Sequence, residues 1–319
     1  MMGTSLRRRL AIIPLVLPLF AAAPAATGEY FATPEAAIMA LVLGARADDR
    51  DELRTVFGEA GLRAISSGDP AADRAGENRF VAAYDAGHTI AIHDGTAILS
   101  IGADQWPFPI PLTHSQHGWS FDVPAGLDEI LDRRIGANEL YTQQVMLAYV
   151  DAQYEYAQGL HDGRKVHVYA QRLLSSPGKQ DGLYWPTEEG QPPSPLGPLV
   201  AEAYAGGYHP GGTGKPQPYH GYFFRVLTAQ GPHARGGAYD YIADGLMLGG
   251  FGLVAWPVRW GNSGVMTFIV NQDGEIYAKD LGPDTPALGS AMTRFDPDPT
   301  WQKIGAPAPI AGQAGDEGG

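Results

Sequence analysis

The hydrophobic positions near the start of the chain recur at the spacing of an α-helix. Thr33, Pro34 and Glu35 supply a capping hydroxyl, a proline for the first turn and an acid for the positive end of the helix dipole. The inward-facing residues of this predicted helix are Ile38, Leu41, Val42 and Ala45. Two more amphipathic helices are predicted, one around Val56 and one over residues 77–86.

After the third helix the hydrophobic period falls from about 3.6 to about 2, which is typical of β-strands. Residues 89–93 and 96–101 flank the dipeptide Asp94-Gly95, a strong signal for a two-residue hairpin. A second pair of strands is predicted at residues 110–114 and 119–123. This part of the chain therefore predicts a small antiparallel sheet.

Helices followed by a curved antiparallel sheet are the order of a small α+β cone, which we predict over residues 31–125. The opening helix and the segment after it resemble NTF2-like domains. Such cones often hold a small ligand in their mouth, whereas others are filled with side chains. The sequence leaves both alternatives open.

The rest of the chain, residues 126–304, predicts one long helix packed on an antiparallel sheet. Asn138 is the predicted cap of that helix, which extends to about residue 158 and carries two apolar stripes. The predicted strands are residues 219–228, 239–242, 250–256, 264–271 and 275–280. This layout resembles the head of pilin-like subunits, without the apolar N-terminal half of a pilin helix. The predicted fold class is α+β, in two modules.

The N-terminus has the pattern of a cleavable signal peptide, predicted over residues 1–25. Arginines at residues 7–9 precede an apolar run at residues 10–23, and small residues follow. The run is short for a membrane span and contains two prolines; an uncleaved anchor is the alternative. The pattern predicts a periplasmic protein that does not span the membrane after processing. Residues 305–319 predict a disordered tail.

Composition narrows the partners and the chemistry. The 319 residues carry a formal net charge of −13. Such a chain repels phosphate backbones, so nucleic acid is not expected as a partner. The chain contains no cysteine. This excludes disulfides, thiolate catalysis, cysteine-ligated metals and a lipid anchor on cysteine.

Two short motifs contain residue types found in catalytic or metal sites. Ser176 and Lys179 match the S-x-x-K string of serine acyl-enzymes. The Pro-Gly dipeptide between them predicts a turn, whereas that chemistry needs one turn of helix. The histidine pairs 114/117 and 161/167 lack the dense set of ligands that marks a metal site. We assign no catalytic role to these residues.

Four aspartates near the C-terminus are the candidate metal ligands: Asp280, Asp284, Asp296 and Asp298. Their loops resemble the calcium-binding loop of the major pseudopilins of secretion systems. Carboxylates together with loop carbonyls suit calcium, so calcium is the candidate ion at this site; the sequence predicts no other cofactor. The alternative is that these acids cap exposed bends shaped by the neighbouring prolines.

Tryptophans and tyrosines are the candidate residues of a glycan-binding surface. The residues considered are Trp106, Trp185, Trp256 and Trp260, with the tyrosines between residues 204 and 241. Aromatic rings stack on sugar faces, but at this density in a strand-rich module they are also typical of a hydrophobic core.

Seven stretches of the chain carry recognisable motifs: residues 67–74, 104–111, 133–140, 176–186, 218–222, 237–241 and 279–285. Together they resemble a family of exported bacterial proteins known as domain of unknown function 2950. The resemblance covers nearly all of the chain after the predicted signal peptide. The resemblance implies export and an envelope location. It supplies no activity and no catalytic residues that could be assigned to this chain.

These observations favour a non-catalytic envelope protein that serves binding, assembly or scaffolding, with another envelope protein or a glycan as its partner. One alternative is a periplasmic hydrolase of cell-wall material, whose site would combine residues distant in sequence. The other alternative is a small-molecule carrier that uses the mouth of the cone.

Overall fold

A computed structural model describes residues 28–188, 190–205, 208 and 217–305 of the chain. The predicted signal peptide lies outside the described residues, as does the predicted tail beyond Gly305. Within the described ranges, none of the helices combines the length and the apolar character that crossing a bilayer requires.

Three helices open the described chain: α1 (Pro34–Ala47), α2 (Arg50–Ile65) and α3 (Pro70–Ala86). The predicted cap of α1 is confirmed, since Thr33 Oγ1 accepts a hydrogen bond from the backbone of Ala36 at 3.2 Å. Helix α3 begins seven residues earlier than predicted. Asp69 caps its N-terminus, and Pro70 occupies the first helical position.

An antiparallel sheet follows, formed by β1 (His88–His93), β2 (Thr96–Ile101), β3 (Trp106–Pro107), β4 (Leu112–Ser115) and β5 (Gly118–Phe121). The strand order is β1-β2-β4-β5, and β3 pairs with β2. The predicted hairpin is confirmed, because Asp94 and Gly95 connect β1 to β2 with φ angles of 47° and 75°. Positive φ at both central residues is what a type I′ turn requires.

The long helix α4 spans Val123–Gln158, a run of 36 residues. At 1.5 Å per residue it is about 54 Å long. The prediction that Asn138 caps this helix is wrong. Asp122 is the cap, and its Oδ1 accepts a hydrogen bond from the backbone of Ala125 at 3.2 Å. Asn138 is buried in the middle of α4 and donates to the carbonyl of Ser263 at 2.8 Å.

After α4 come a short helix, ten strands and a second short helix. The elements are α5 (Gly197–Ala205), β6 (Tyr222–Leu227), β7 (Ala229–Gln230), β8 (Tyr239–Asp240), β9 (Ile242–Ala243), β10 (Leu246–Met247), β11 (Gly252–Pro257), β12 (Met266–Asn271), β13 (Ile276–Asp280), α6 (Thr285–Ala291), β14 (Arg294–Phe295) and β15 (Gln302–Lys303). The main sheet is antiparallel, in the order β15-β13-β12-β11-β6.

The buried apolar residues form one cluster in the N-terminal part and two in the C-terminal part. The N-terminal cluster lies between α1, α2 and the first sheet. In the C-terminal part, the second half of α4 packs on one face of the main sheet, and α6 packs beside β11. Helices and antiparallel sheets in one chain confirm the α+β class. The division at residue 125 stays a prediction, and that residue lies inside α4.

Candidate ligand-binding cavity

A cavity of about 680 Å³ lies inside the N-terminal part of the chain. Its walls come from α1, α2, the first sheet, residues 108–110 and α4. Apolar side chains on these walls include Leu41, Leu53, Phe57, Ile101, Phe108 and Ile130. The volume is within the range of ordinary small-molecule sites, which are about 300–1,000 Å³ and mostly apolar.

Helix α3 forms the remaining wall and explains why space is left. The residues of α3 that line the cavity include Ala72, Gly76, Phe80 and Ala83. None of the residues of α3 is fully buried. A Cβ atom added to Gly76 would meet one atom within 4 Å, the Arg79 Nη2 at 3.9 Å. The face of α3 therefore borders open space at Gly76, whereas Phe80, Ala83 and Tyr84 on the same helix pack against the N-terminal cluster.

Two acidic residues in the cavity wall are engaged by neighbours. Asp73 accepts hydrogen bonds from Ser66 Oγ at 2.7 Å and from the Ser67 backbone at 2.9 Å. Glu77 pairs with Arg74 at 3.3 Å and lies 3.8 Å from Arg50. Burial raises the pKa of Glu77 although these arginines oppose that shift. Through these contacts Asp73 stabilises the turn before α3, and Glu77 pairs α3 with its neighbours.

Four arginines line the cavity, and they differ in their partners. Arg50 faces Glu77. Arg133 pairs with Glu129 and lies 4.5 Å from the centroid of the Trp106 ring. Arg79 and Arg134 are different, because within the described part of the chain no carboxylate forms an ion pair with either of them. These two arginines are the cavity's uncompensated cations.

Asp69 connects the N-terminal part to the C-terminal part at one end of the cavity. Its side chain is 1% exposed. One carboxylate oxygen accepts from the backbones of Ala71 and Ala72, both at 3.1 Å, and so caps α3. The other accepts from the Gly221 backbone at 2.9 Å and from the Tyr208 hydroxyl at 3.1 Å. A single buried carboxylate therefore fixes α3 against the C-terminal part.

The predicted calcium ligands lie in separate turns. Asp280 accepts from Trp260 Nε1 at 2.7 Å and from the Gly282 backbone at 2.8 Å. Asp284 is an exposed residue at the start of α6. The described residues contain no group of three or more histidine or acidic side chains arranged to hold a metal.

The other two predicted ligands follow β14. Asp296 Oδ1 contacts His233, whose backbone N–H donates at 2.9 Å and whose ring lies at 3.0 Å. Asp298 accepts from the Thr300 backbone at 2.7 Å and from the Thr300 hydroxyl, and these hydrogen bonds lower the pKa of Asp298. These contacts match the alternative of acids that stabilise turns, and calcium binding stays a prediction.

The S-x-x-K segment forms a turn. The Lys179 backbone donates to the Ser176 carbonyl at 3.0 Å, and Ser176 Oγ donates to Asp181 at 2.8 Å. Of the candidate glycan residues, Trp256 is buried in the core, whereas Trp106 and Trp260 are exposed. Trp106 lies on the cavity wall. The glycan surface stays a prediction.

Sequence reasoning singled out Trp106 but missed Arg79, Arg134 and Gly76. A lone arginine on a helix is ordinarily a solvated surface residue, and a lone helical glycine has no distinctive signal. Their roles become visible once α3 and α4 enclose the same space.

The comparisons with known proteins give a family. The model of a family described as "Protein of unknown function (DUF2950)" matches residues 28–304. The chain belongs to this family. The resemblance seen in the sequence is thus confirmed at that level, and three of its stretches, residues 67–74, 104–111 and 133–140, supply walls of the cavity. No curated protein and no solved structure matched this DUF2950 chain.

Proposed function

We propose that this DUF2950 protein is exported to the bacterial envelope, where it binds a small, largely apolar molecule without transforming it. The observation that carries the proposal is the cavity of about 680 Å³ and its apolar walls. A ligand that fills it removes apolar surface from water, which contributes roughly 25 cal/mol per Å². Among the sequence hypotheses, this favours the small-molecule carrier.

Two structural likenesses belong to the same proposal. Three helices followed by an antiparallel sheet are the order expected of an NTF2-like cone, and the cavity is lined by all three helices and by this sheet. The second half of α4 on the main sheet is the layout expected of a pilin-like head. In this proposal the first half of the protein binds the ligand, and the second half serves assembly or partner binding.

The hydrolase alternative has less support from the cavity. Its one serine–carboxylate contact is between Ser66 and Asp73. Asp73 accepts from Ser66 Oγ with one oxygen and from the Ser67 backbone with the other, so the carboxylate closes the turn before α3. A nucleophile needs a base that is oriented toward it by a third group. The contacts of Asp73 are those of a structural residue.

Export is tested by the N-terminus of protein isolated from the periplasm of expressing bacteria. We expect a chain that begins after residue 25, because the preceding residues have the order of a signal peptide. Mass spectrometry of the intact protein measures this directly. An intact chain beginning at Met1 and recovered from the cytoplasm would overturn the location.

Ligand binding is tested with N-phenyl-1-naphthylamine, a neutral dye whose fluorescence rises in apolar surroundings. We expect saturable binding to the natural chain and its loss in Gly76→Leu, because the new side chain fills the cavity from α3. Gly136→Leu is the matched control. Gly136 is exposed on α4, outside the cavity, and open space surrounds the position of its missing Cβ.

Thermal unfolding shows whether both variants fold. If Gly76→Leu does not fold, Ala83→Leu replaces it, because Ala83 lines the same cavity further along α3. Absence of saturable binding by the natural chain contradicts the proposal. Equal binding by the two glycine variants contradicts it as well, since the dye would then occupy another place on the protein.

A further inference from the structure

Four arginines line the cavity of a protein that is strongly acidic as a whole. The whole chain carries a formal charge of −13. All four cations that line the cavity are nevertheless arginines. The planar guanidinium presents paired N–H donors that match the oxygens of a carboxylate, sulfonate or phosphate. Guanidinium groups at the cavity wall can therefore bind an oxyanion, although the chain has no lysine before Lys165 and arginine is not specific to the cavity.

Arg134 is a partly buried cation whose hydrogen-bond partners are neutral. Its guanidinium donates to Asn262 Oδ1 at 3.1 Å and to the carbonyl of Ile65. Burial lowers the pKa of Arg134, although the nearby charge of Asp73 opposes that shift. A cation removed from water without an ion-pair partner attracts an anion more strongly than a solvated cation does.

Arg79 adds a second guanidinium to the cavity lining, and this residue is exposed to solvent. It extends from α3, and no hydrogen bond or ion pair holds it within the described part of the chain. The positive charge of Arg79 acts on His220 in the C-terminal part. Burial is the main cause that lowers the pKa of His220; Asp69 opposes the shift and Arg79 adds to it. Arg134 reaches the same part through Asn262.

Acidic residues around the cavity have other partners, and in the described ranges none of them forms an ion pair with Arg79 or Arg134. Asp69 and Asp73 accept hydrogen bonds at the start of α3, and Glu77 pairs with Arg74. Asp104 also lines the cavity, beside β3, and is exposed to solvent. The apolar walls lie alongside these charges, so the cavity combines apolar side chains with two guanidinium groups that have no ion-pair partner among the described residues.

We infer that the ligand is an amphipathic organic anion: its acidic group binds Arg79 and Arg134, and its apolar part fills the cavity. This inference rests on the proposed function and names the chemical class of the ligand. The site selects a molecule with one compact oxyanion and an apolar body small enough for about 680 Å³. A neutral molecule of the same shape binds more weakly.

The test compares two dyes that share one apolar body. 1-Anilinonaphthalene-8-sulfonate is N-phenyl-1-naphthylamine with an added sulfonate. We expect the natural chain to bind the sulfonate at least about tenfold more tightly than the neutral dye, because charge-assisted hydrogen bonds form only with the sulfonate. Raising the salt concentration should narrow this ratio. Fluorescence titration measures both dissociation constants.

Arg79→Gln is the decisive variant, since Arg79 holds no other part of the fold in place. It should lose most of the preference for the sulfonate and bind the neutral dye as before. Arg63→Gln is the matched control, because Arg63 is an exposed arginine outside the cavity, paired with Glu59 at 3.2 Å. The control removes the same charge and should keep the preference.

The outcomes separate this inference from the function on which it rests. If neither dye binds, the proposed function fails. If the neutral dye binds and the sulfonate binds no more tightly, the cavity is used but the anion site is wrong. Retention of the full preference in Arg79→Gln also overturns the anion site.

Discussion

The N-terminal core encloses a large cavity, whereas the C-terminal core is filled on both faces of its sheet. Every residue of β11 is buried, and none of the residues of α3 is. The filled core uses large rings whose hydroxyls bond to backbone carbonyls: Tyr149 to Gly252 at 3.0 Å and Tyr222 to Met266 at 2.9 Å. Burial raises the pKa of both tyrosines, so both stay protonated donors.

In the hollow N-terminal core, small residues occupy part of the helix face that borders the cavity, beside the ring of Phe80. Ala72, Gly76 and Ala83 occupy the face of α3 that looks into the cavity. The difference teaches that a helix can be held in place at its N-terminus, here by Asp69, while the space beside it stays open. We expect the stability of such a helix to depend more on the hydrogen bonds at its N-terminus than on the packing of its side chains.

The largest expected effect comes from truncating an aromatic ring in the filled core. Phe268→Ala should lower the free energy of unfolding by about 3–5 kcal/mol, because Phe268 is 1% exposed and a dry cavity would replace its ring. Phe80→Ala is the matched change at the hollow core. Phe80 is half-buried and borders the cavity, with the Phe108 ring at a centroid distance of 5.2 Å, so its loss should cost about 1–2 kcal/mol.

Urea unfolding of the two variants measures both values. If Phe80→Ala costs as much as Phe268→Ala, then α3 is packed as tightly as the main sheet. In that case the cavity is not a feature of the folded protein in solution.

A smaller effect is expected when the anchor of α3 is removed. Asp69→Ala deletes a helix cap and leaves the buried Gly221 N–H without an acceptor, so it should cost about 2–4 kcal/mol. Asp49→Ala removes an exposed cap from α2, where Asp49 accepts from the backbones of Asp51 and Glu52. That control should cost about 1 kcal/mol.

Thermal or urea unfolding distinguishes the two caps. Equal losses for the two variants would mean that the bond from Gly221 to Asp69 adds nothing to stability. Helix α3 would then depend on its own cap alone and not on the C-terminal part of the chain.

The sequence predicted the elements with strong periodicity and missed the start of α3 and the first half of α4, both of which line the cavity. Asp69-Pro70 gives the same start signal as Thr33-Pro34, but the residues after it are small and polar, without an apolar period. The period is weak because that face of α3 lines open space. The start of α3 lacks large apolar residues. This lack removes the sequence signal for the helix start, and it also leaves room for the cavity.

The first half of α4 was missed for a related reason. Residues 123–137 include a proline and two glycines, and the sequence alone predicts Asn138 as the cap. In the structure Asn138 bonds to Ser263, 125 residues further along the chain. A pattern confined to neighbouring residues cannot reveal such a partner. The same limit applies to Arg79 and Arg134, which become a candidate site only through the fold.

The smallest expected effect is a pH dependence that belongs to the hollow core. Burial raises the pKa of Glu77 in the folded chain above its unfolded value of about 4.3. The folded state thus holds this proton more tightly than the unfolded state. Stability from this group is complete below the unfolded pKa and is lost as the pH rises through the folded pKa. A glutamine at position 77 does not titrate, so the free energy of unfolding of that variant does not fall in this way.

Glu77→Gln should therefore gain stability relative to the natural chain between about pH 4 and about pH 7. Glu155→Gln is the control for losing one carboxylate, since Glu155 is exposed on α4. Urea unfolding at each pH measures both differences, and comparing the two isolates the effect of burial. A relative loss for Glu77→Gln over this range would mean that the ion pairs with Arg74 and Arg50 outweigh the burial of Glu77. The wall of the cavity would then favour the charged carboxylate, and the space beside it would be better hydrated than its apolar lining suggests.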